Sequence, residues 1–369
     1  MGDDTDRWAI DIDREDIAQA ALVREEAREL AAGEIECAVD LIALTANNIT
    51  YAALGRRTPL LGADAGYWDF FAERDRPGRL PTWGFATVTR STFDEVAVGE
   101  RFYGYWPLAS HVVLRLSEVR RSGFVDATPR RTALPAPYNR YARLEALGDH
   151  READHDWWPI YRPLFTTGWL IADQFEDEGD YGAATIVVSG ASSKTAIGFA
   201  HAMKARGRSP RLVALASPRS ADFTRATGLY DAVVDYDAID TIVAEGNVAL
   251  VDFAGNWTAS RAVHERFGEA LALDLIVGIT HWDAARDATP MPGPRPAAFF
   301  APGRMEKRAA DWGGAGYRSR AEAAWLDFMD RARTLTTIDR RSGGEAALRA
   351  YRDAVAGRVD PRAGVLVAP

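Results

Sequence analysis

The chain of 369 residues contains a single cysteine, Cys37. One thiol excludes an internal disulfide framework and any zinc site built from several cysteines. It lies in the apolar, strand-like run "GEIECAVDLIAL", where a small buried side chain is expected rather than a nucleophile. Histidine is scarce too: six residues, at 111, 150, 155, 201, 264 and 281, are scattered without metal-ligand spacing. His150 and His155 stand in a charged stretch and read as solvent-exposed. An excess of positive charge is also missing, the formal net charge being -9. That argues against nucleic acid or an anionic membrane as the main partner. No apolar run approaches the roughly 18–20 residues that span a bilayer. The opening "MGDDTDRW" is acidic and polar, without the marks of a secretory signal, so a cytoplasmic protein is expected.

What is present is ordinary globular material, 47% hydrophobic and 26% charged, enough for full cores in about two domains. Residues 15–31 have the spacing of a short amphipathic helix, with Ile17, Ala21 and Leu22 on one face. A strand at 34–45 and several short strands within 80–92 and 96–116 make the first part β-rich. Residues 127–160 mix proline, aromatics and charge, and read as a long connection with a helix near 137–147. Then strands and helices alternate. "PLFTTGWLIADQF" reads as a helix, 184–190 as a strand, 193–207 as a helix and 211–217 as a strand. A helix ending at Gly228, "AVVDY" as a strand, a strand at 248–255, the helix "NWTASRAVHERFGEA" and a strand at 272–280 follow. Short apolar strands alternating with helices imply a parallel sheet covered on both faces. After a Pro- and Gly-rich loop come two amphipathic helices and the final strand "AGVLVAP", which belongs most simply with the β-rich N-terminal body.

The stretch "IVVSGASSKTAIGFA" (186–200) carries the chemistry. A triphosphate-binding loop needs glycine six residues before its lysine and another directly before it. Val188 and Ser193 occupy those places before Lys194, so that loop is eliminated. Set against the three-glycine dinucleotide fingerprint, "SKTAIG" keeps only Gly198, with Ser193 and Thr195 in the first two glycine places. Small hydroxyl residues and a helix N-terminus still favour a phosphate. A capped strand–helix turn without a ligand is the alternative. In the next strand Ser217, Pro218, Arg219 and Ser220 stand where an acid would hold the ribose hydroxyls of NAD. Hydroxyls and an arginine suit a 2'-phosphate, which favours NADP; an ordinary surface arginine is the other reading of Arg219.

Several segments together resemble the medium-chain dehydrogenase/reductase superfamily, most closely its zinc-free quinone-oxidoreductase and enoyl-reductase branch and a side family within it. They are "VDLIALTANNITYAALG" (39–55), "LPTWGFATVTRSTFDEVAVGERFYGY" (80–105), "LVALASPRSADFTRATGLYDAVVDYD" (212–237) and "YRDAVAGRVDPRAGVLVAP" (351–369). Glu100 replaces the aspartate usual in the second. "FFAPGRMEKRAADWG" and "LPAPYNRYARL" are similar to the side family. The resemblance implies an α/β protein with a GroES-like β-barrel domain (1–155, completed by 320–369) and a Rossmann doubly wound parallel-sheet domain (156–319) that binds NADP(H). With one cysteine and no Gly-His-Glu at "WGFATV", neither zinc site of the metal-dependent members is expected.

Carried over by position, Ser192, Ser193, Lys194, Thr195, Ala196 and Gly198 would hold the pyrophosphate. Ser217 and Arg219 would hold the adenosine phosphate, with Tyr236 beside it. Phe253 to Gly255 and Gly278 to His281 would border the nicotinamide. Asn48 and Tyr51 are implied as donors to the substrate carbonyl, with Asn47 beside them; capping by the asparagines and packing by the tyrosine are the alternatives. Tyr138, Asn139 and Tyr141 would close the pocket or brace the domains, and Trp282 would line the pocket. Without a Lewis acid, hydride addition to an activated C=C bond or a quinone needs the least electrophilic help. The expected activity is therefore NADPH-dependent reduction of an enone, enoyl thioester or quinone. A reductase dedicated to a carrier-bound intermediate, and a scaffold that has lost its cofactor, stay open. Superfamily analogy implies a homodimer.

Overall fold

A computed structural model describes residues 7–61, 65–208, 210–280 and 289–369. The chain divides into two units, residues 1–160 with 337–369, and 161–336.

The first unit is built on a closed barrel. Its strands follow the order Glu34–Leu44, Pro81–Ser91, Arg101–Pro107, Arg140–Arg143, Gly123–Asp126 and His111–Arg120, and the last pairs antiparallel with the first. Closure leaves no edge to template aggregation. Glu34–Leu44 can pair with both neighbours because a register shift between Val39 and Leu41 bends it. Gly84 lies opposite, where a Cβ would come 2.1 Å from Leu41 O. Ala363–Ala368 pairs antiparallel with Glu34–Leu44, and Thr337–Ser342 pairs parallel with Ala363–Ala368. Cys37 is fully buried in the barrel wall.

In this unit the Arg131–Asp126 ion pair is wholly enclosed. Arg131 Nη1 donates to Asp126 Oδ2 at 2.7 Å and to Tyr141 Oη at 2.9 Å, and both charged side chains are 0% exposed. Its Nε donates to Asn139 Oδ1 and its Nη2 to the Tyr138 carbonyl, while Asn139 Nδ2 donates back to the Arg131 carbonyl at 2.7 Å. The guanidinium lies over the Phe70 and Phe71 rings.

The second unit is a six-stranded parallel sheet in the order Ala232–Asp235, Arg211–Ala216, Ala183–Ser189, Asn247–Asp252, Leu271–Ile276 and Ala297–Ala298. In chain order this is 3-2-1-4-5-6, the doubly wound arrangement that binds ligands at the carboxyl ends of its strands. Ile186, Val187 and Val188 are successive yet all 0% exposed, because helices cover both faces. The α/β architecture expected from the sequence, a barrel with a doubly wound sheet, is therefore present.

Four local expectations are corrected. Within 15–31 there is no helix but the strand Ala20–Arg24, paired antiparallel with Trp8–Ile12; the tertiary partner overrides a spacing that fits either element. Near 137–147, the strand Arg140–Arg143 lies between two short 3-10 turns, Ala136–Tyr138 and Leu144–Ala146. Pro135 and Pro137 oppose a helix there, and the strand supplies the barrel's closing pairings. Residue 320 lies inside the helix Ala301–Leu335, interrupted only at Gly313, so the chain re-enters the first unit at Thr337. His150 and His155 are half-buried rather than exposed. The His155 ring stacks on Phe85 at 4.2 Å and His150 packs on Trp158 at 5.0 Å.

Candidate functional site

In the second unit the central strand Ala183–Ser189 runs into Gly190, whose φ of +64° is a left-handed conformation suited to glycine. A Cβ there would also come 3.2 Å from Ala254 N. The chain then passes Ala191 and Ser192, and Ser193 caps the twelve-residue helix Lys194–Ala205, its Oγ accepting from Ala196 N–H at 3.2 Å. The tight-turn role of the fingerprint's first glycine thus belongs to Gly190. Ser193, placed there from the sequence, is the helix cap. The reason is geometric: the chain must reverse directly after the strand, at Gly190, four residues before the helix begins.

Gly198 serves helix packing. A Cβ on it would come 3.0 Å from Phe165 Cα, and one on Gly168 would come 2.4 Å from Phe199 N. The helices Lys194–Ala205 and Trp157–Asp177 therefore cross glycine to glycine. Thr195 and Ala196 are buried in the first turn of the helix, while Ser192, Ser193 and Lys194 are half-buried. The amides of a helix's first turn lack intrahelical partners, and they give such a turn its affinity for anions.

Two tyrosines fasten the turn. Gly190 N–H donates to Tyr236 Oη at 2.8 Å, and Tyr230 Oη donates to the Ala191 carbonyl at 2.8 Å. Tyr236 was expected beside the adenosine phosphate; its hydroxyl ends on the turn itself. Tyr230 and Gly190 were missed. Gly190 was visible as a glycine directly after a strand, whereas nothing local marks Tyr230.

At the end of the neighbouring strand, Ser217 begins the helix Pro218–Ala226, with its Oγ 3.2 Å from Ser220 Oγ and Arg219 exposed. No acid occupies positions 217–220. On the other side of the central strand, buried Asp252 accepts from Ala254 N–H at 2.9 Å and Gly255 N–H at 3.0 Å. Burial pushes its carboxyl pKa up. Thr280 donates to the Ala254 carbonyl through both its N–H and its hydroxyl. A Cβ on Gly255 would come 2.7 Å from Gly278 O, so the two segments expected at the nicotinamide, Phe253–Gly255 and Gly278–Thr280, abut each other. His281 and Trp282 lie outside the described residues.

In the first unit, Asn48 is buried and its side chain is engaged within the fold. Its Oδ1 accepts from Thr45 N–H at 2.7 Å, and its Nδ2 donates to the Pro81 carbonyl at 3.0 Å. The geometry makes it a cap that ties the helix Ala46–Ala53 to the strand Pro81–Ser91. Asn139 is likewise held by Arg131 and serves as a brace.

Tyr51 stands in different company. Its ring packs against Tyr67 at 4.5 Å and edge-on to Tyr105 at 5.6 Å. Tyr138 packs at 5.0 Å from Tyr105 and 6.0 Å from Trp83. Trp83 Nε1 donates to Tyr51 Oη at 3.4 Å, and the Asn47 and Tyr105 side chains also act on that hydroxyl. Burial raises the pKa of Tyr51, Tyr67, Tyr105 and Tyr138 alike, so all four are neutral phenols near pH 7. The structure thus joins Tyr51, Asn47 and Tyr138 of the expected residues, and adds Tyr67, Tyr105 and Trp83. Among the described residues, no group of three or more His, Cys, Asp or Glu side chains comes together as a metal site. No helix among them is long and apolar enough to cross a membrane.

Residues 42–360 match the family described as "Protein of unknown function (DUF2855)". No curated protein matches the chain by sequence. Solved structures share its fold. CurA of Vibrio vulnificus in complex with NADPH is 12% identical over 98% of both chains, with a TM-score of 0.63. A putative NADPH:quinone reductase from Mesorhizobium loti is 13% identical over 100% of both, with a TM-score of 0.59. The yhdH oxidoreductase of Salmonella enterica in complex with NADP is 14% identical over 98% of this chain and 99% of its own, at 0.53. At such identities the likeness is one of fold, and it bears out the two-domain architecture that the superfamily resemblance implied.

Proposed function

This chain belongs to the DUF2855 family, and on that footing we propose that it is a zinc-independent, NADPH-dependent reductase of an enone, enoyl thioester or quinone. The observation that carries the reading is the turn at the carboxyl end of the central strand: a left-handed glycine, three small residues and the start of a twelve-residue helix. Such a turn suits a pyrophosphate. NADP(H) is favoured over NAD(H) because Ser217, Arg219 and Ser220 stand at the end of the adjacent strand with no carboxylate among them. A carboxylate there would repel a 2'-phosphate. Solved structures of the same fold that hold NADPH or NADP support the cofactor. When bound, NADPH supplies the hydride.

The chain's own residues then have three tasks. The first-turn amides, with Ser192 and Lys194, hold the pyrophosphate. Ser217, Arg219 and Ser220 hold the 2'-phosphate. Tyr51, a neutral phenol among uncharged rings, donates to the carbonyl oxygen on which negative charge develops. Zinc independence rests on the donor set, since the single cysteine is fully buried in the barrel wall.

The test is a titration of NADPH against the full chain, followed by its fluorescence. Saturable binding with NADH at least tenfold weaker is expected. Arg219→Ala should remove most of that preference by weakening NADPH alone. An equal loss of both cofactors would refute the 2'-phosphate role, and no binding at millimolar NADPH would leave only the scaffold reading.

A further inference from the structure

The phenol cluster of the first unit contains an arrangement that donation of a simple hydrogen bond by Tyr51 does not require. Trp83 Nε1 points at Tyr51 Oη from 3.4 Å, and an indole N–H can only donate. The Tyr105 hydroxyl is fully buried without a hydrogen-bond partner, and its ring meets that of Tyr51 edge-on at 5.6 Å. Asn48 fixes the spacing: its bond to the Pro81 carbonyl ties the helix that carries Tyr51 to the strand that carries Trp83, two residues along. The other groups around Tyr51 and Tyr105 are Asn47, Tyr67, Phe70, Phe71 and Tyr138, all uncharged. The Arg131–Asp126 ion pair, with Arg131 over the Phe70 ring, is self-neutralised.

We propose that Trp83 and Tyr105 are positioning residues that donate to the Tyr51 oxygen, so that Tyr51 hands its proton to the substrate oxygen and is held as the phenolate it becomes. The inference rests on the reductase reading above. Donors occupying the lone pairs of Oη turn the Tyr51 O–H outward, toward an acceptor. They also strengthen as negative charge grows on Oη, and so act most in the transition state. In reduction of an enone, bound NADPH would supply the hydride to the β-carbon, and the π electrons of the C=C bond would shift to give the enolate. The enolate oxygen takes the Tyr51 proton; the electron pair of the broken O–H bond stays on Tyr51 Oη. Water then reprotonates the phenolate, and the enol product tautomerises to the saturated ketone.

The experiment compares wild type, Tyr105→Phe, Trp83→Phe and Tyr51→Phe as full chains, with NADPH and cyclohexenone. For Tyr105→Phe, kcat should fall about tenfold, as expected for one lost hydrogen bond. The NADPH affinity should stay unchanged, and the alkaline limb of the kcat–pH profile should move to higher pH. Trp83→Phe should do the same. Tyrosinate absorbance, read as the difference between each protein and its Tyr51→Phe counterpart without cofactor, should place the Tyr51 midpoint higher in both variants. A merely structural role would lower Tm and activity and leave limb and midpoint in place; that result overturns the proposal. If wild type oxidises no NADPH with any enone or quinone, the reductase reading fails. The absorbance titration then still decides whether the two residues act on Tyr51.

Discussion

In the second unit the hydroxyls of Tyr230 and Tyr236 each end on the backbone of the turn after the central strand, one on the Ala191 carbonyl and one on the Gly190 amide. In the first unit the hydroxyls of Tyr51 and Tyr105 meet only side chains, and that of Tyr105 lacks a bond of its own. Burial raises the pKa of all four, so burial does not separate them. The partner does. A phenol bonded to a backbone group holds a loop in place, whether it donates to a carbonyl, as Tyr230 does, or accepts from an amide, as Tyr236 does. A phenol whose oxygen meets a side-chain donor is the one proposed to deliver its proton. Tyr141 shows that the contrast follows the partner and not the unit: it lies in the first unit, donates to the Tyr105 carbonyl at 2.6 Å and accepts from Arg131, and so belongs with the fasteners.

The comparison breaks most severely if the wall behind the phenol cluster is removed. Arg131→Met leaves Asp126 buried without its partner and should destabilise the first unit by about 3–5 kcal/mol. Urea unfolding followed by fluorescence would measure it. Arg131→Met combined with Asp126→Leu should recover much of the loss, because the uncompensated charge is then gone.

A smaller effect separates the units by pH. Glu36, held by Arg7 and Arg90, has its carboxyl pKa depressed from 4.5 to about 2; burial opposes the shift and the two guanidiniums outweigh it. A depressed carboxylate stabilises above its unfolded pKa, and that contribution disappears as pH falls from 4.5 through about 2. After discounting for the partly exposed Arg90, the loss is about 2 kcal/mol in the first unit. His264 has the opposite sign. Burial would lower its pKa, but the bonds from its ring nitrogens to Asp274 and the Pro292 carbonyl raise it above 6.5. Its contribution is complete below the unfolded pKa and fades as pH rises through the raised value. Hydrogen exchange should therefore show the first unit loosening in acid and the second in alkali.

The smallest expected effect is at the fasteners. Tyr236→Phe removes the acceptor of the Gly190 amide and should weaken NADPH about tenfold while leaving kcat at saturating NADPH nearly unchanged. Isothermal titration would read the first and steady-state rates the second. A large fall in kcat instead would place Tyr236 among the chemical phenols and erase the contrast.

Much of the fold was legible along the chain. Strands such as Ala183–Ser189 and Asn247–Asp252 are short apolar runs bounded by turn residues, and a parallel sheet leaves them no other pattern. Ala20–Arg24 was not legible, because alanines and leucines at that spacing suit helix and strand equally and only the pairing with Trp8–Ile12 decides. Within the turn after the central strand, anchoring the fingerprint on Gly198 displaced the first glycine from Gly190. Gly198 belongs instead to a helix crossing that needs Gly168, thirty residues earlier.

The sequence by itself determined the chemical inventory: one cysteine, an acidic net charge, a parallel α/β half, and serines with an arginine where an acid would stand for NAD. These are properties of composition and of neighbours a few residues apart, which local sterics and patterning express directly. Only the tertiary structure decided which partners Asn48, Tyr51 and Tyr236 have. The groups that fix their roles, Pro81, Trp83 and Tyr105 in one unit and Gly190 in the other, lie dozens of residues away. A hydroxyl or amide side chain takes its role from whichever partner the closed barrel or the wound sheet brings within reach.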